Sequence, residues 1–220
     1  MKLNINEFQE KLKPMKFCSN CVYPETSAVT LQFDEKNICS GCKVSHQKKK
    51  IDWEYRKKLF IRLTEFYKKK DNYDCIIPVS GGKDSTYQVL TLLREGLKPL
   101  CVIATTCQLS EIGRKNIENL KGLGVDCIEY STNPVIRAKL NKIGLKEVGD
   151  ISWPEHVSIF TVPPRIAVSL NIPLMIWGEN PQHEYGGPAS NAEGKVLDRA
   201  WLEEFGGLLG LRVTDLVGVD

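Results

Sequence analysis

Two groups of residues in this chain have the types and spacing that chemistry needs. The first is a pair of pairs, Cys18-Ser-Asn-Cys21 and Cys39-Ser-Gly-Cys42, separated by 17 residues, which is the spacing of a four-thiolate zinc site. Each pair has to wrap a tight turn so that both sulfurs face one ion, and the third positions, Asn20 and Gly41, are residue types that tolerate a left-handed backbone. Four thiolates fill a tetrahedral site, so Zn2+ held by Cys18, Cys21, Cys39 and Cys42 would be structural. A redox role suits a lone CxxC better than two at this separation.

The second group is Ser80-Gly81-Gly82-Lys83-Asp84-Ser85-Thr86. Two glycines let the chain turn sharply so that successive N–H groups converge, and a helix beginning there adds positive potential, so a polyanion is the natural guest. Lys83 adds charge, Ser80, Ser85 and Thr86 add hydroxyls, and Asp84 has the charge to hold Mg2+ riding on phosphates. The loop of the common nucleotide hydrolases requires a hydroxyl residue after the lysine. Here Asp84 stands in that place, and the chain has no dinucleotide-binding glycine pattern.

These groups need elements to hold them. Between the cysteine pairs, Val29 to Phe33 alternates like a strand and Asp34 to Asn37 reads as a turn. Residues 14–50 therefore read as a zinc ribbon, too small to fold without its metal. Residues 51–70 read as a linking helix, with Ile51, Tyr55, Leu59, Leu63 and Phe66 at helical spacing on the face that would lie on the main domain. Residues 71–220 form that domain. Strands are expected at Tyr73–Pro78, Leu100–Ala104, Val125–Tyr130 and Pro173–Trp177. Helices are expected at Asp84–Glu95, with Thr86, Leu90 and Leu93 on one face and Gly96 as its stop, at Ser110–Lys121, and around Ile136, Leu140 and Ile143. Apolar strands each followed by a helix indicate an α/β fold with a doubly wound, Rossmann-like parallel sheet. Ligands in such sheets bind at the carboxyl ends of the strands, where Ser80–Asp84, Ala104-Thr105-Thr106 and Gly178-Glu179-Asn180 all fall.

At this point the chain resembles a known group. A Ser-Gly-Gly-Lys-Asp-Ser loop after a buried strand is similar to the pyrophosphate loop of the ATP pyrophosphatases, whose fold is the adenine nucleotide alpha hydrolase type. More narrowly, Cys18-Ser-Asn-Cys-Val-Tyr-Pro24, Val79–Ser85 and Ile176-Trp-Gly-Glu-Asn-Pro-Gln-His-Glu-Tyr-Gly-Gly187 resemble the N-acetyl sugar amidotransferases of bacterial surface-polysaccharide and flagellar-glycan synthesis. The resemblance implies an enzyme that spends ATP to AMP and converts an acetamido group of a sugar to an acetamidino group. It also implies ammonia supplied by a separate glutaminase with a cyclase-like partner. It places the nucleotide on Ser80, Gly81, Gly82, Lys83, Asp84, Ser85, Thr86, Ala104, Thr105 and Gly178. Lys83 and Asp84 are expected to be catalytic, and Glu179 and Asn180, with Glu184 and Tyr185 nearby, are read as sugar or ammonia contacts, with loop capping as the alternative. Members of that family continue well past the position of Asp220, and substrate contacts are expected in that further part.

Two rivals stand beside this reading. A tRNA thiolase pairs the same loop with a zinc ribbon, but it generally uses catalytic cysteines, and Cys75, Cys101, Cys107 and Cys127 form no second CxxC. A non-catalytic zinc-ribbon adaptor with a nucleotide pocket is the other. Residues 1–70 hold 16 Lys and Arg against 8 acids, and the lysine runs read first as a solvated face, with an acidic partner or, less favoured, nucleic acid as the other readings. No apolar run reaches the roughly 20 residues of a membrane span, and the first 20 residues lack a signal-peptide core. A cytoplasmic protein is expected.

Overall fold

The computed structural model describes residues 14–26, 31–105, 109–178, 208–216 and 218. The chain divides into two compact units, Met1–Asp52 with Glu179–Lys195 and Trp53–Gly178 with Val196–Asp220.

In the first unit two tight turns and a helix surround the four cysteines. Phe17 bridges Pro24 and Phe33 bridges Cys39, both antiparallel. Of the expected strand Val29–Phe33, only its last three residues are described, and pairing there is limited to that one bridge. Helix α1, Ser40–Lys48, starts at the second cysteine pair, with Cys39 as its N-cap. The left-handed backbone falls at Val22 (φ 53°) and Asn37 (φ 59°), not at Asn20 or Gly41. Gly41 belongs to α1, and helical geometry removes the need for a left-handed residue.

The second unit runs α2 (Trp53–Tyr67), β1 (Cys75–Pro78), α3 (Lys83–Arg94), β2 (Pro99–Ala104), α4 (Glu111–Lys121), β3 (Asp126–Tyr130), α5 (Pro134–Glu147) and α6 (Trp153–Ser169), with a short 3-10 turn at Val213–Leu216. The strands pair in parallel in the order β1-β2-β3. The expected fourth strand contracts to one parallel bridge, Ile76 to Met175, held by Ile76 N–H to Leu174 O and Ile176 N–H to Ile76 O, each 2.9 Å. It lies on the side of β1 away from β2. The chain thus steps outward from β1 to β3 and returns across the sheet, which puts the reversal of strand order beside β1.

Successive residues of β1 serve opposite faces, as a pleated strand requires. Cys75 and Ile77 join Cys101 and Ile103 against Val89 and Leu92 of α3 and Ile117 and Leu120 of α4. Ile76 joins Leu100 and Val102 against Val162 and Ala167 of α6. Burying each such aliphatic side chain contributes about 1.5–3 kcal/mol, so both faces of this α/β sheet are covered.

The sheet decides which helix faces are covered. Helix α3 buries Ser85, Val89 and Leu92, with Leu93 packed against the same core. Helix α2 buries Thr64 and sets Phe60 and Tyr67 on the core, while Tyr55, Leu59, Leu63 and Phe66 are exposed. In both helices adjacent stripes are similarly apolar, so spacing does not distinguish them. Helix α6 is one that sequence reasoning did not foresee, because Pro163 and Pro164 stand inside it. Interior prolines cost roughly 3 kcal/mol each, and here burial of Trp153, Val162, Pro163 and Ala167 offsets that cost.

The base of β1 is tied by the buried carboxylate of Asp74. Its Oδ1 accepts from Lys69 N–H (2.6 Å) and its Oδ2 from Lys98 N–H (2.7 Å). The nearby lysines serve local carbonyls: Lys68 Nζ donates to Glu95 O at the end of α3, and Lys69 Nζ to Asn171 O just past α6. Cations there also complement the helix dipoles.

Candidate functional site

The four cysteine sulfurs lie within 4.8 Å of one another. Cys18 Sγ is 3.8 Å from Cys42 Sγ, and Cys21 Sγ is 3.6 Å from Cys39 Sγ. With Zn–S bonds of about 2.3 Å, tetrahedral sulfurs sit ~3.8 Å apart, so these two separations match such an ion. Local hydrogen bonds build each turn. Val22 N–H donates to Cys18 O (2.9 Å), and Cys18 N–H to Tyr23 O (2.8 Å). In the second turn Asp34 Oδ1 accepts from both Lys36 N–H and Ile38 N–H, and the Ile38 donor foremost keeps that carboxyl below its usual range.

Burial would raise the Cys18 thiol, but N–H groups of Cys39, Cys21 and Asn20 outweigh it and hold it down to about 6. Asn20 N–H and Cys39 N–H lie 3.4 and 3.3 Å from Cys18 Sγ. The Cys21 thiol is drawn down by the backbone at Tyr23, yet burial and the three neighbouring sulfurs push it up to about 12. One thiolate forms readily and its charge opposes the rest, so a full set of thiolates calls for a cation at the centre. Asn20 Nδ2 donates to Cys42 Sγ (3.1 Å), a supporting contact missed in the sequence. Its signal was the polar side chain between the two cysteines of the first pair.

In the second unit, β1 delivers the glycine loop to the carboxyl edge of the sheet. Val79 N–H still bonds Val102 O (2.9 Å), after which Gly81 turns with φ 78°. A Cβ at Gly81 would stand 3.0 Å from Ile117 Cγ1 and 3.1 Å from Ile117 N, so glycine is required by conformation and by the approach of α4. Gly82 is the N-cap of α3 and offers no side-chain cap. By contrast Ser110 caps α4 and Asn133 caps α5 through their side chains. The first turn of α3 therefore keeps donors available to a ligand.

The hydroxyls and charges of the loop are arranged around Gly82. Ser80 Oγ accepts from Gly82 N–H (3.3 Å), while Ser85 Oγ and Thr86 Oγ1 donate to Gly82 O (3.1 and 2.9 Å). Lys83 Nζ pairs with Asp84 Oδ1 at 2.7 Å, with the side chains 87% and 70% exposed. That contact raises the lysine above its ordinary range. Exposed pairs are worth about 0–1 kcal/mol, so a polyanion could draw Lys83 away at little cost.

Two other expected positions meet the same edge. Ala104 ends β2, and Thr105 bonds Tyr130 O through both its N–H (2.9 Å) and Oγ1 (3.0 Å). Gly178, beyond the fourth strand segment, faces α3 so closely that a Cβ would lie 2.7 Å from Gln88 Oε1. Gln88 is a neighbour of the loop that no motif announced. Thr106, Cys107, Glu179, Asn180, Glu184 and Tyr185 lie outside the described residues. Cys75 and Cys101 are buried in strands; burial pushes the Cys75 thiol up to about 12 and the Cys101 thiol beyond the ordinary range. Cys127 is half-buried and also raised, chiefly by desolvation. No described helix is long and apolar enough to cross a membrane.

No family model matches the chain. A protein of Methanocaldococcus jannaschii, itself described as uncharacterized, is 32% identical over 106 residues. The match spans 47% of this chain and 38% of that relative's own length.

Proposed function

We propose that the protein is an ATP-dependent, AMP-forming amidotransferase that turns an acetamido group of a sugar into an acetamidino group. The observation that carries the reading is the uncapped glycine loop with Lys83 and Asp84 at the carboxyl end of β1, beside the reversal of strand order, where open α/β sheets bind ligands. The amide-to-amidine chemistry itself comes from the motif resemblance.

The amide oxygen attacks the α-phosphorus of ATP, the bond to the β-phosphate oxygen breaks, and pyrophosphate leaves. The oxygen is now part of a phosphate ester, a far better leaving group than an amide oxygen. Ammonia adds to the carbon, the C–O bond breaks, and AMP departs with that oxygen, leaving an amidinium. Loop N–H groups of Gly81 to Ser85 and the Lys83 ammonium stabilise the charge that grows on pyrophosphate. Asp84 is the carboxylate that would hold Mg2+, and the ion would supply further neutralisation of the phosphates. Gly178 lets the chain pass close to Gln88 of α3, and Thr105 marks the side of the loop toward β2, where adenine and ribose would lie. Glu179 and Asn180 are proposed sugar or ammonia contacts. In this reading zinc is structural, and a separate glutaminase and cyclase-like partner deliver ammonia in the cytoplasm.

The test supplies ATP, Mg2+, ammonia and candidate acetamido sugars, and follows nucleotide and sugar products. AMP with a sugar product retarded on cation exchange is expected, and both should vanish in Lys83→Ala. ADP in place of AMP refutes the reading. Sulfur entering tRNA, with the sugar unchanged, decides for the thiolase, which the buried, high-pKa cysteines of β1 and β2 disfavour.

A further inference from the structure

A cavity of about 480 Å³ lies between the end of β3 and helices α5 and α6, within the second unit, and no residue of the loop Ser80–Thr86 lines it. Its walls include Tyr130, Thr132, Ile136, Arg137, Trp153 and Arg165. Among the described residues lining it there are two arginines and no carboxylate. Arg165 is exposed, but Arg137 is only 4% exposed. Its Nε and Nη2 are buried with no hydrogen-bond partner, and so is Thr132 Oγ1.

A buried guanidinium without a partner is strongly unfavourable, and buried polar atoms left unsatisfied in a native fold call for an explanation. The two orphan nitrogens are neighbours on one edge of the guanidinium, the edge that offers two parallel N–H groups to a planar or tetrahedral oxyanion. Trp153 Nε1 already donates to Leu208 O (3.0 Å), so the indole contributes its apolar face. The volume lies in the range of small-molecule sites, which combine apolar walls with few polar anchors.

We propose that this cavity binds a small molecule carrying an oxyanion, either phosphate or carboxylate, which the Arg137 guanidinium meets through Nε and Nη2 on a small turn of its side chain, with the neighbouring Thr132 Oγ1 as a third contact. The apolar and aromatic walls take the uncharged body of that molecule. The site is separate from the glycine loop and does not depend on the function proposed above. Arg137 and Thr132 also border a second, wider depression on the Asn141 side, where Glu155 accepts from Asn141 Nδ2 (3.1 Å). That carboxylate is the internal alternative to an external anion.

Titration calorimetry with inorganic phosphate and, separately, glucuronate, at ionic strength held by chloride, separates the two sources. Saturable one-site binding of at least one probe is expected, with a melting temperature that climbs with its concentration. Arg137→Met keeps the buried volume and should weaken binding about tenfold or more, while its melting temperature without probe equals or exceeds the wild type's. Lys83→Ala should retain the site. Absence of saturable binding by either probe overturns the proposal, as does binding undiminished in Arg137→Met or lost in Lys83→Ala. A loss of stability in Arg137→Met that is not additive with Glu155→Gln also overturns it, because Arg137 would then serve an internal pair.

Discussion

Replacing Gly81 and Gly82 one at a time with alanine separates the loop's structural work from its ligand work. Gly81 has φ 78°, and an L-residue held there costs roughly 1–2 kcal/mol. Its new methyl would also meet Ile117 Cγ1 at 3.0 Å, Ile117 N at 3.1 Å and Asn116 C at 3.2 Å. Two of these are backbone atoms of α4, which cannot swing aside as a side-chain tip can, so overpacking adds roughly 1–3 kcal/mol. The expected loss is about 2–5 kcal/mol, a fall in melting temperature of roughly 5–15 °C for a unit of this size. Gly82 differs in both respects. Its backbone is extended, with φ −73°, and its added Cβ would meet only Ser80 Oγ, at 3.3 Å. Alanine is a poorer N-cap than glycine, and the change should cost about 1 kcal/mol or less. On the function proposed above that methyl would stand in the way of phosphate oxygens, so Gly82→Ala should lose ATP binding at near-native stability. Urea unfolding followed by circular dichroism, with ATP titration of each folded variant, reads both effects. Equal unfolding midpoints for Gly81→Ala and wild type would refute the packing argument, and wild-type ATP affinity in Gly82→Ala would refute the anion cradle.

The wild type should purify with one equivalent of zinc by metal analysis and Cys39→Ser with none; full retention in the variant would mean that the four sulfurs do not share one ion. Asp74→Asn leaves one acceptor oxygen at a buried position for two N–H donors, those of Lys69 and Lys98. It should lower stability by about 1–3 kcal/mol, and an unchanged denaturation midpoint would show that these bonds contribute nothing net. Glu129 is paired with Lys121 and Arg114 at 2.7 Å each, and Lys121 foremost holds its carboxyl below the ordinary 4.5. A depressed carboxylate stabilises fully above its unfolded value and loses that contribution as pH falls through the lower folded value. The stability gap between wild type and Glu129→Gln should therefore be constant near neutrality and close below about pH 4.5; a gap that widens toward acid would contradict the sign.

The residues that could be read from the chain alone are those whose meaning is local. Two CxxC pairs must curl tightly whatever surrounds them, and four sulfurs converge as expected. Apolar strand, glycine turn, amphipathic helix is a short-range grammar, so the starts of α3, α4 and α5 at Lys83, Glu111 and Pro134 fall close to where residue order puts them. Gly96 follows the end of α3 with φ 72°, the left-handed conformation in which glycine commonly ends a helix. What needed the tertiary structure is whatever depends on a choice among equivalent faces or on distant partners. Periodicity showed that α2 and α3 are amphipathic, but only the position of the sheet decides that Phe60 and Tyr67 pack while Leu63 and Phe66 do not, and that Val89 faces inward before Leu90. Pro163 and Pro164 disfavour α6 by local rules, and only the apolar surface of β1 and β2 beneath it makes a helix the stable conformation there. Arg137 is one basic residue among thirty in the sequence. Its charge becomes distinctive only when α5, α6 and the end of β3 close around it and leave two of its N–H groups without a partner.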